Sequence, residues 1–472
     1  MTPDPVDVQH TTFVELQRAM SDGLSSAELV RVYRARVAEL DAAPNSVLAL
    51  SPSAEQQAER LDAERSSGVV RGPLHGIPLL LKDNIGTADQ ATTAGARALE
   101  GLRPHRDAFL VTRLRDAGAV VLGKTNLSEW ANWVDPSMPN GWSGLGGQVA
   151  AAFGGGDPSG SSSGSAVATA LALAAAAIGS ETSGSILSPS SVAGIVGVKP
   201  TRGLVSRTGI VPLAEGFDTP GPMARTVADA AALLSVLAGS DPDDPATVEA
   251  DARRTDYVTA LDGATLRGAR LGLSPSLRDT LDPPQRAVYD AALATLTGAG
   301  AVLVETAALD EATALGLTLL GLIPASFRTG LEAYLSEAAP VPASGVRTLA
   351  DVVAFNEQHP EAVPYGQSLL LASVTFPSGA DEVSRAAAAL RAVQVRAIEA
   401  AMQGLDAVVA PGAKWSNLGA SAGCPGVVVA AGLADGEPMG LCFHGEPWSE
   451  ARLLALAAAF EAVAAPRPVP TG

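Results

Sequence analysis

Polar helical stretches alternate along the chain with short apolar runs and turn-rich connections. Residues 11–20, 25–40 and 55–65 read as helices, with a capping box at Ser25-Ser26-Ala27-Glu28. The turn Gly72-Pro73-Leu74-His75-Gly76 leads to a run of strand length at 77–81, with Lys82 at its end. Helix at 107–117 and strand at 119–123 follow, and 136–160 is Gly/Pro/Ser/Asn-rich without periodicity. The run 166–178 is uncharged and Ala/Leu-dominated, which predicts one buried helix between two serine-rich turns. Strands are expected at 192–198 and 203–211, a turn at 218–223 and a helix at 226–237. An alternation of strand and helix resumes at 269–273, 285–297 and 301–305. Residues 312–336, 349–371 and 384–405 read as helical, 407–410 and 427–430 as strands, and 450–464 as a closing helix. This alternation favours an α/β fold on a parallel or mixed sheet.

Composition narrows the classes of function. The 472 residues are 47% hydrophobic and 17% charged, which allows a large core and excludes global disorder. A net charge of −18 argues against a nucleic-acid partner and against an anionic membrane surface. Cys424 and Cys442 are the two cysteines, too few for a disulfide framework or a cysteine zinc site, and the five histidines lack metal-ligand spacing. No metal or other cofactor is therefore expected. The first twelve residues are polar and acidic without an apolar core, so the expected location is cytoplasmic.

The chemistry is concentrated in serines and lysines. Gly160-Ser161-Ser162-Ser163-Gly164 matches a nucleophile elbow in outline, but the glycine-rich residues before it cannot be a central strand. The glycine clusters near 146 and 155 lack the dinucleotide-binding context. What remains is Lys82 together with Ser161 and Ser185. Taken alone, Lys82 reads as a snorkelling lysine, Ser161 as a helix cap and Ser185 as a turn serine. Asp218 and Arg225 read as a fold-stabilising pair.

Taken together, these residues resemble the amidase signature family over about residues 28–464. The resemblance also rests on Gly123-Lys124-Thr125-Asn126-Leu127-Ser128-Glu129-Trp130, on Gly194 to Thr201, on Gly203 to Arg207 and on Thr219 to Arg225. Within the family, Ser128 to Asn132, Gly141-Trp142-Ser143 and Gly146-Gly147-Gln148 look most like bacterial peptide amidases. The resemblance implies one amidase domain, an α/β/α sandwich around a large mixed, mostly parallel sheet. Its N-terminal helices would span about 11–66, its signature core about 70–240 and a variable helical substrate-pocket region about 310–400. It implies a Ser-cisSer-Lys triad with Ser185 as nucleophile, Ser161 as bridge after a cis peptide bond and Lys82 as base. It further implies an oxyanion hole from the backbone of Thr182, Ser183 and Gly184, joined by that of Ser185, and substrate contacts at Ser128, Trp142 and Gln148. The activity implied is cleavage of a peptide or small-molecule carboxamide, by a monomer or homodimer. Biosynthetic acyl transfer, an amidotransferase component dependent on a partner, and a non-catalytic amidase-fold protein remain open. The chain departs from the family pattern at Ser163, Ser180, Ser183, Leu187 and residues 411–415. Of these, Ser183 lies in the oxyanion turn.

Overall fold

The computed structural model describes residues 7–305, 308, 310, 316–337, 344–377 and 379–470. The expected helical stretch at 312–336 lies partly outside the described residues, and within them it forms the helix Ile323–Glu337.

The architecture is α/β. Strands β1 (Val47–Leu50), β2 (Pro78–Lys82), β3 (Val120–Thr125), β6 (Ala176–Glu181), β7 (Val196–Lys199) and β8 (Thr219–Ala224) form one half of an eleven-stranded sheet. The other half comprises β9 (Arg270–Leu273), β10 (Val302–Glu305), β11 (Ala407–Pro411), β12 (Gly426–Ala434) and β13 (Glu437–His444). The order is β1-β3-β2-β6-β8-β7-β12-β13-β11-β9-β10, while β4 (Trp142–Ser143) and β5 (Gly147–Gln148) make a separate ribbon. The sheet is mixed, as expected, but its parallel pairs are not the majority. Only β3–β2, β2–β6, β11–β9 and β9–β10 run parallel, and the six other neighbours are antiparallel. The middle of the sheet is antiparallel because it contains the β12–β13 hairpin and the reversed strand β8.

Local rules explain the starts of the first two helices. Thr12 with Glu15, and Ser25 with Glu28, close capping boxes at the starts of Phe13–Ser21 and Ser26–Leu40. These helices bury Phe13, Leu16, Leu29, Val30 and Tyr33 in a core shared with β2, β3 and β6. A second apolar cluster joins Trp130, Phe327, Leu331, Val352 and Leu370, with Trp130 edge-on to Phe327 at 5.7 Å.

Three stretches differ from the sequence reading. The apolar run 166–178 is not one helix: a helix, Ser163–Ala170, ends in a turn, and β6 begins at Ala176. Both pieces are buried on all sides, so no polar stripe marks where one period gives way to the other. Residues 203–211 form irregular backbone instead of a strand, with isolated bridges at Val205 and Ile210. The expected turn at 218–223 is mostly the central strand β8. Its prolines, Pro220 and Pro222, lie two residues apart, so both missing N–H groups point the same way. The pairs opposite Gly221 and Met223 can then carry the bonds to β6.

Candidate active site

Two adjacent parallel strands bring the site together. β2 and β6 pair at Leu79–Ala176, Leu80–Ala177 and Leu81–Ile178, so their carboxyl ends lie side by side. Such ends are where open α/β sheets place their ligands. β2 ends in Lys82, and β6 runs into the turn that carries Ser185. The third group comes from the turn before the helix Ser163–Ala170, where the Gly160–Ser161 peptide bond is cis. That helix approaches the neighbouring backbone closely at Gly164, where a Cβ would collide with the carbonyls of Asn126 and Ser46. The two serine turns are tied by Ser162 N–H donating to the Ser185 carbonyl at 3.1 Å.

Lys82 is fully buried and its Nζ lies 2.7 Å from Ser161 Oγ. Nζ also contacts the hydroxyl of Ser180 at 3.1 Å and its carbonyl at 3.2 Å. Burial pulls the lysine pKa down to about 7, against the opposing pull of the Asp218 and Glu181 carboxylates. At neutral pH an appreciable fraction of Lys82 is thus uncharged, and a neutral amine can accept a proton. Ser161 is fully buried, whereas Ser185 is 8% exposed. Among the described residues the Ser185 hydroxyl makes no hydrogen bond, so the lysine–serine hydrogen bond is formed and a serine–serine one is not. Catalytic contacts often tighten only around a bound substrate.

The turn after β6 is shaped by one carboxylate. Glu181 Oε1 accepts the N–H of Gly184 at 2.7 Å, and Oε2 accepts those of Ile186 at 2.8 Å and Leu187 at 3.0 Å. Gly184 sits at a φ of +82°, a conformation that favours glycine. Its N–H is already engaged, which removes it from the expected set of oxyanion donors. The backbone N–H groups of Thr182, Ser183 and Ser185 have no acceptor among the described residues. Thr182 Oγ1 donates to Asp218 Oδ1 at 2.5 Å, and Ser183 Oγ donates to Asn417 Oδ1 at 2.5 Å.

Asp218 does not pair with Arg225. Its other oxygen accepts the N–H groups of Leu213 and Ala214 at 2.8 Å, while Arg225 donates to the carbonyls of Ala174 and Thr11. Each group finds other partners, and those of Arg225 are distant in the chain, which a sequence cannot reveal.

A cavity of about 560 Å³ is lined by Asn84, Ser180, Thr182 and Asp218 together with Val211 and Tyr334. Lys82, Ser161 and Ser185 do not line it, and Ser180, which bonds Lys82, is the link between the two. Ser128, Trp142 and Gln148 do not line it. Ser128 is buried, accepts the N–H of Gly141 at 2.8 Å and donates its own N–H to the Ser161 carbonyl at 3.1 Å, so it holds the serine turn from behind. Trp142 packs edge-on against Tyr365 at 5.2 Å. Gln148 is exposed and bonds the carbonyls of Asn140 and Val149. The sequence reading missed Glu181, Asn84 and Asn417. Their contacts depend on turns that local pattern does not specify.

The chain belongs to the amidase family, whose model, described as Amidase, matches residues 28–420. It is thus a hydrolase of amide C–N bonds. Over nearly its whole length it is similar to the native peptide amidase of Stenotrophomonas maltophilia. That structure is 43% identical, with 99% of each chain covered and a TM-score of 0.89. An amidase family protein from Bacillus anthracis is 35% identical with a TM-score of 0.91, covering 100% of this chain and 96% of that one. A probable amidase of Arabidopsis thaliana is 37% identical over 96% of this chain and 90% of its own. A component of the glutamyl-tRNA(Gln) amidotransferase of Myxococcus xanthus is 34% identical over 95% of this chain and 96% of its own. Among the described residues, no helix is long and apolar enough to cross a membrane.

Proposed function

We propose that the chain is a serine amidase that hydrolyses a linear carboxamide, either a C-terminal peptide amide or a small-molecule amide, through an acyl-enzyme on Ser185. Ser185 Oγ attacks the carbonyl carbon. Its proton passes to Ser161 Oγ as the Ser161 proton passes to neutral Lys82 Nζ. The oxyanion of the tetrahedral intermediate accepts hydrogen bonds from free N–H groups of the 182–185 turn. Collapse breaks the C–N bond, and the proton held on Lys82 returns through Ser161 to the leaving ammonia or amine. Water then cleaves the ester by the same relay, releasing the carboxylic acid and restoring both serines.

The observation that carries this reading is the buried Lys82, 2.7 Å from Ser161 with its pKa drawn down to about 7. The peptide-amide arm is favoured by the 43% identity to a peptide amidase. The two unpaired, buried cysteines suit a reducing compartment, and a cytoplasmic location is part of the proposal. A screen of amides with ammonia detection tests the reading. The wild type releases ammonia, and Ser185→Ala lowers the rate by on the order of 10³ or more. Full activity in that variant would move the nucleophile elsewhere. The relative in Myxococcus xanthus sustains a second reading, in which the chain is one component of an amidotransferase. Turnover of simple amides by the isolated chain would disfavour it.

A further inference from the structure

Two of the places where the chain departs from its family pattern meet in the fold. Ser183 lies in the turn after β6, and residues 411–415 lead from β11 into the helix Ser416–Ala422. Trp415 anchors this connection: it is buried and packs edge-on to His444 at 5.4 Å. The first residues of the helix then lie against the turn around Ser185. Ser416 Oγ would stand 3.1 Å from a Cβ placed at Gly184, and Asn417 Oδ1 accepts the Ser183 hydroxyl at 2.5 Å. The other residues of the turn have restraints of their own. Asp218 holds the Thr182 side chain, Glu181 holds the N–H of Gly184, and the Ser185 carbonyl accepts the N–H of Ser162. Among the described residues, the bond to Asn417 is the only hydrogen bond that Ser183 makes. Ser183 and Asn417 are half-buried, so water can solvate each of them once they are separated. No other hydrogen bond would then fix the tilt of the Ser183 peptide unit, whose N–H is one of the open donors of the turn. A donor stabilises developing charge effectively only when it is held in place beforehand.

We propose that Asn417 is a positioning residue: by accepting the Ser183 hydroxyl it fixes the Ser183 backbone N–H as an oxyanion donor. The inference rests on the serine amidase reading. It deepens that reading by giving a role to a side chain 234 residues away from the turn in sequence. It also gives the two departures from the family pattern one meaning, a serine and the asparagine that holds it.

Asn417→Ala and Ser183→Ala each remove the bond and leave Lys82, Ser161 and Ser185 in place. On N-acetyl-leucyl-leucinamide each should lower kcat about tenfold and leave KM within about twofold, because the bond matters when charge develops on the carbonyl oxygen. The double variant should lose no more than either single one. Ser183→Thr keeps the hydroxyl and should stay within about threefold of wild type. N-acetyl-leucyl-leucinal, an aldehyde that can form a tetrahedral adduct with Ser185, should bind Asn417→Ala about tenfold more weakly than wild type. The product acid, N-acetyl-leucyl-leucine, should bind both proteins equally well. Additive losses, a raised KM at unchanged kcat, or wild-type rates in both alanine variants would overturn the inference. So would equal weakening of aldehyde and acid, which marks a general loss of structure. If this amide is not turned over, the rate at which a fluorophosphonate labels Ser185 takes the place of kcat and must fall about tenfold in Asn417→Ala. Unchanged labelling in that variant overturns the inference alone, whereas a wild type that is never labelled overturns the serine amidase reading with it.

Discussion

Replacing Lys82 by methionine should give a protein that is inactive and yet more stable at neutral pH. In the unfolded chain this lysine is protonated throughout the physiological range. In the folded protein burial brings its pKa from 10.5 to about 7. Below pH 7 folding therefore carries an ammonium into a dry site. Between about 7 and 10.5 folding releases the proton instead. The folded state binds fewer protons in that window, so stability rises with pH there and is lost as pH falls toward 7. Each tenfold change in proton affinity is worth about 1.4 kcal/mol, so the full penalty below pH 7 is roughly 5 kcal/mol. Methionine has a similar stem and no charge, and Ser161 and Ser180 hydroxyls that lose an amine contact offset part of the gain at about 1 kcal/mol each. Urea denaturation of both proteins at pH 6, 7, 8 and 9 provides the assay. The difference between them cancels all other titrating groups. Lys82→Met should be the more stable at pH 6, and its advantage should shrink by about 1.4 kcal/mol per pH unit above 7. A pH-independent difference, or a less stable variant at pH 6, would refute the claim that desolvation sets this lysine's pKa.

The rate of amide cleavage should rise about tenfold per pH unit up to a midpoint near 7 and level off above it, as measured by ammonia release. Lys82→Arg should lose on the order of 10³ in rate and should not regain it at pH 9, because guanidinium keeps its proton. Asp83→Asn removes the partner of the buried Lys124, 3.4 Å away, and should cost about 3–5 kcal/mol in urea denaturation. Ala131 lies in a left-handed run, with φ of 48°, 56° and 76° at Trp130, Ala131 and Asn132. Ala131→Gly should therefore be neutral or stabilising by up to about 1 kcal/mol, where an ordinary Ala→Gly change would destabilise. Gln148→Ala should leave KM within about twofold, because Gln148 is exposed and does not line the cavity.

What could be read in advance divides by the range of the forces involved. The capping box at Ser25, the strand that ends in Lys82 and the αβ alternation are local signals, and each appears where the pattern put it. The run 166–178 misled because an Ala-rich stretch buried all round shows neither a period of 3.6 nor one of 2. β8 was hidden by two prolines, which ordinarily argue against a central strand and are tolerated here because they alternate with Gly221 and Met223. At the site, Lys82, Ser161 and Ser185 were singled out as residue types in a familiar order. The contact of Lys82 with Ser161, and the approach of the turn that carries Ser185, depend on long-range packing such as the register of β2 against β6. The expected substrate contacts lie away from the cavity for a similar reason. Ser128 and Gln148 belong to motifs near the serine turn in sequence, but the cavity is walled by residues 207–220 and by the helix Ile323–Glu337.

The hydrogen bonds that shape the turn around Ser185 also govern the charge on Lys82, the proposed base. Asp218 and Glu181 are the two carboxylates that oppose the lowering of the Lys82 pKa. Neither one bonds to the lysine. Asp218 is turned toward Thr182 and the N–H groups of Leu213 and Ala214, and Glu181 toward those of Gly184, Ile186 and Leu187. Each carboxylate is thus held by dipoles that partly cancel its field at Lys82, and the lysine's own neighbours are uncharged: two serine hydroxyls and a carbonyl. Had either acid paired directly with the ammonium, the pair would have kept the proton on nitrogen and the lysine could not serve as a base at neutral pH. The N–H groups that fold the turn around Ser185 are therefore also what leaves burial as the dominant influence on Lys82. Geometry of the proposed nucleophile and basicity of the lysine rest on one set of contacts, so a change that frees Glu181 from the turn would disturb both at once.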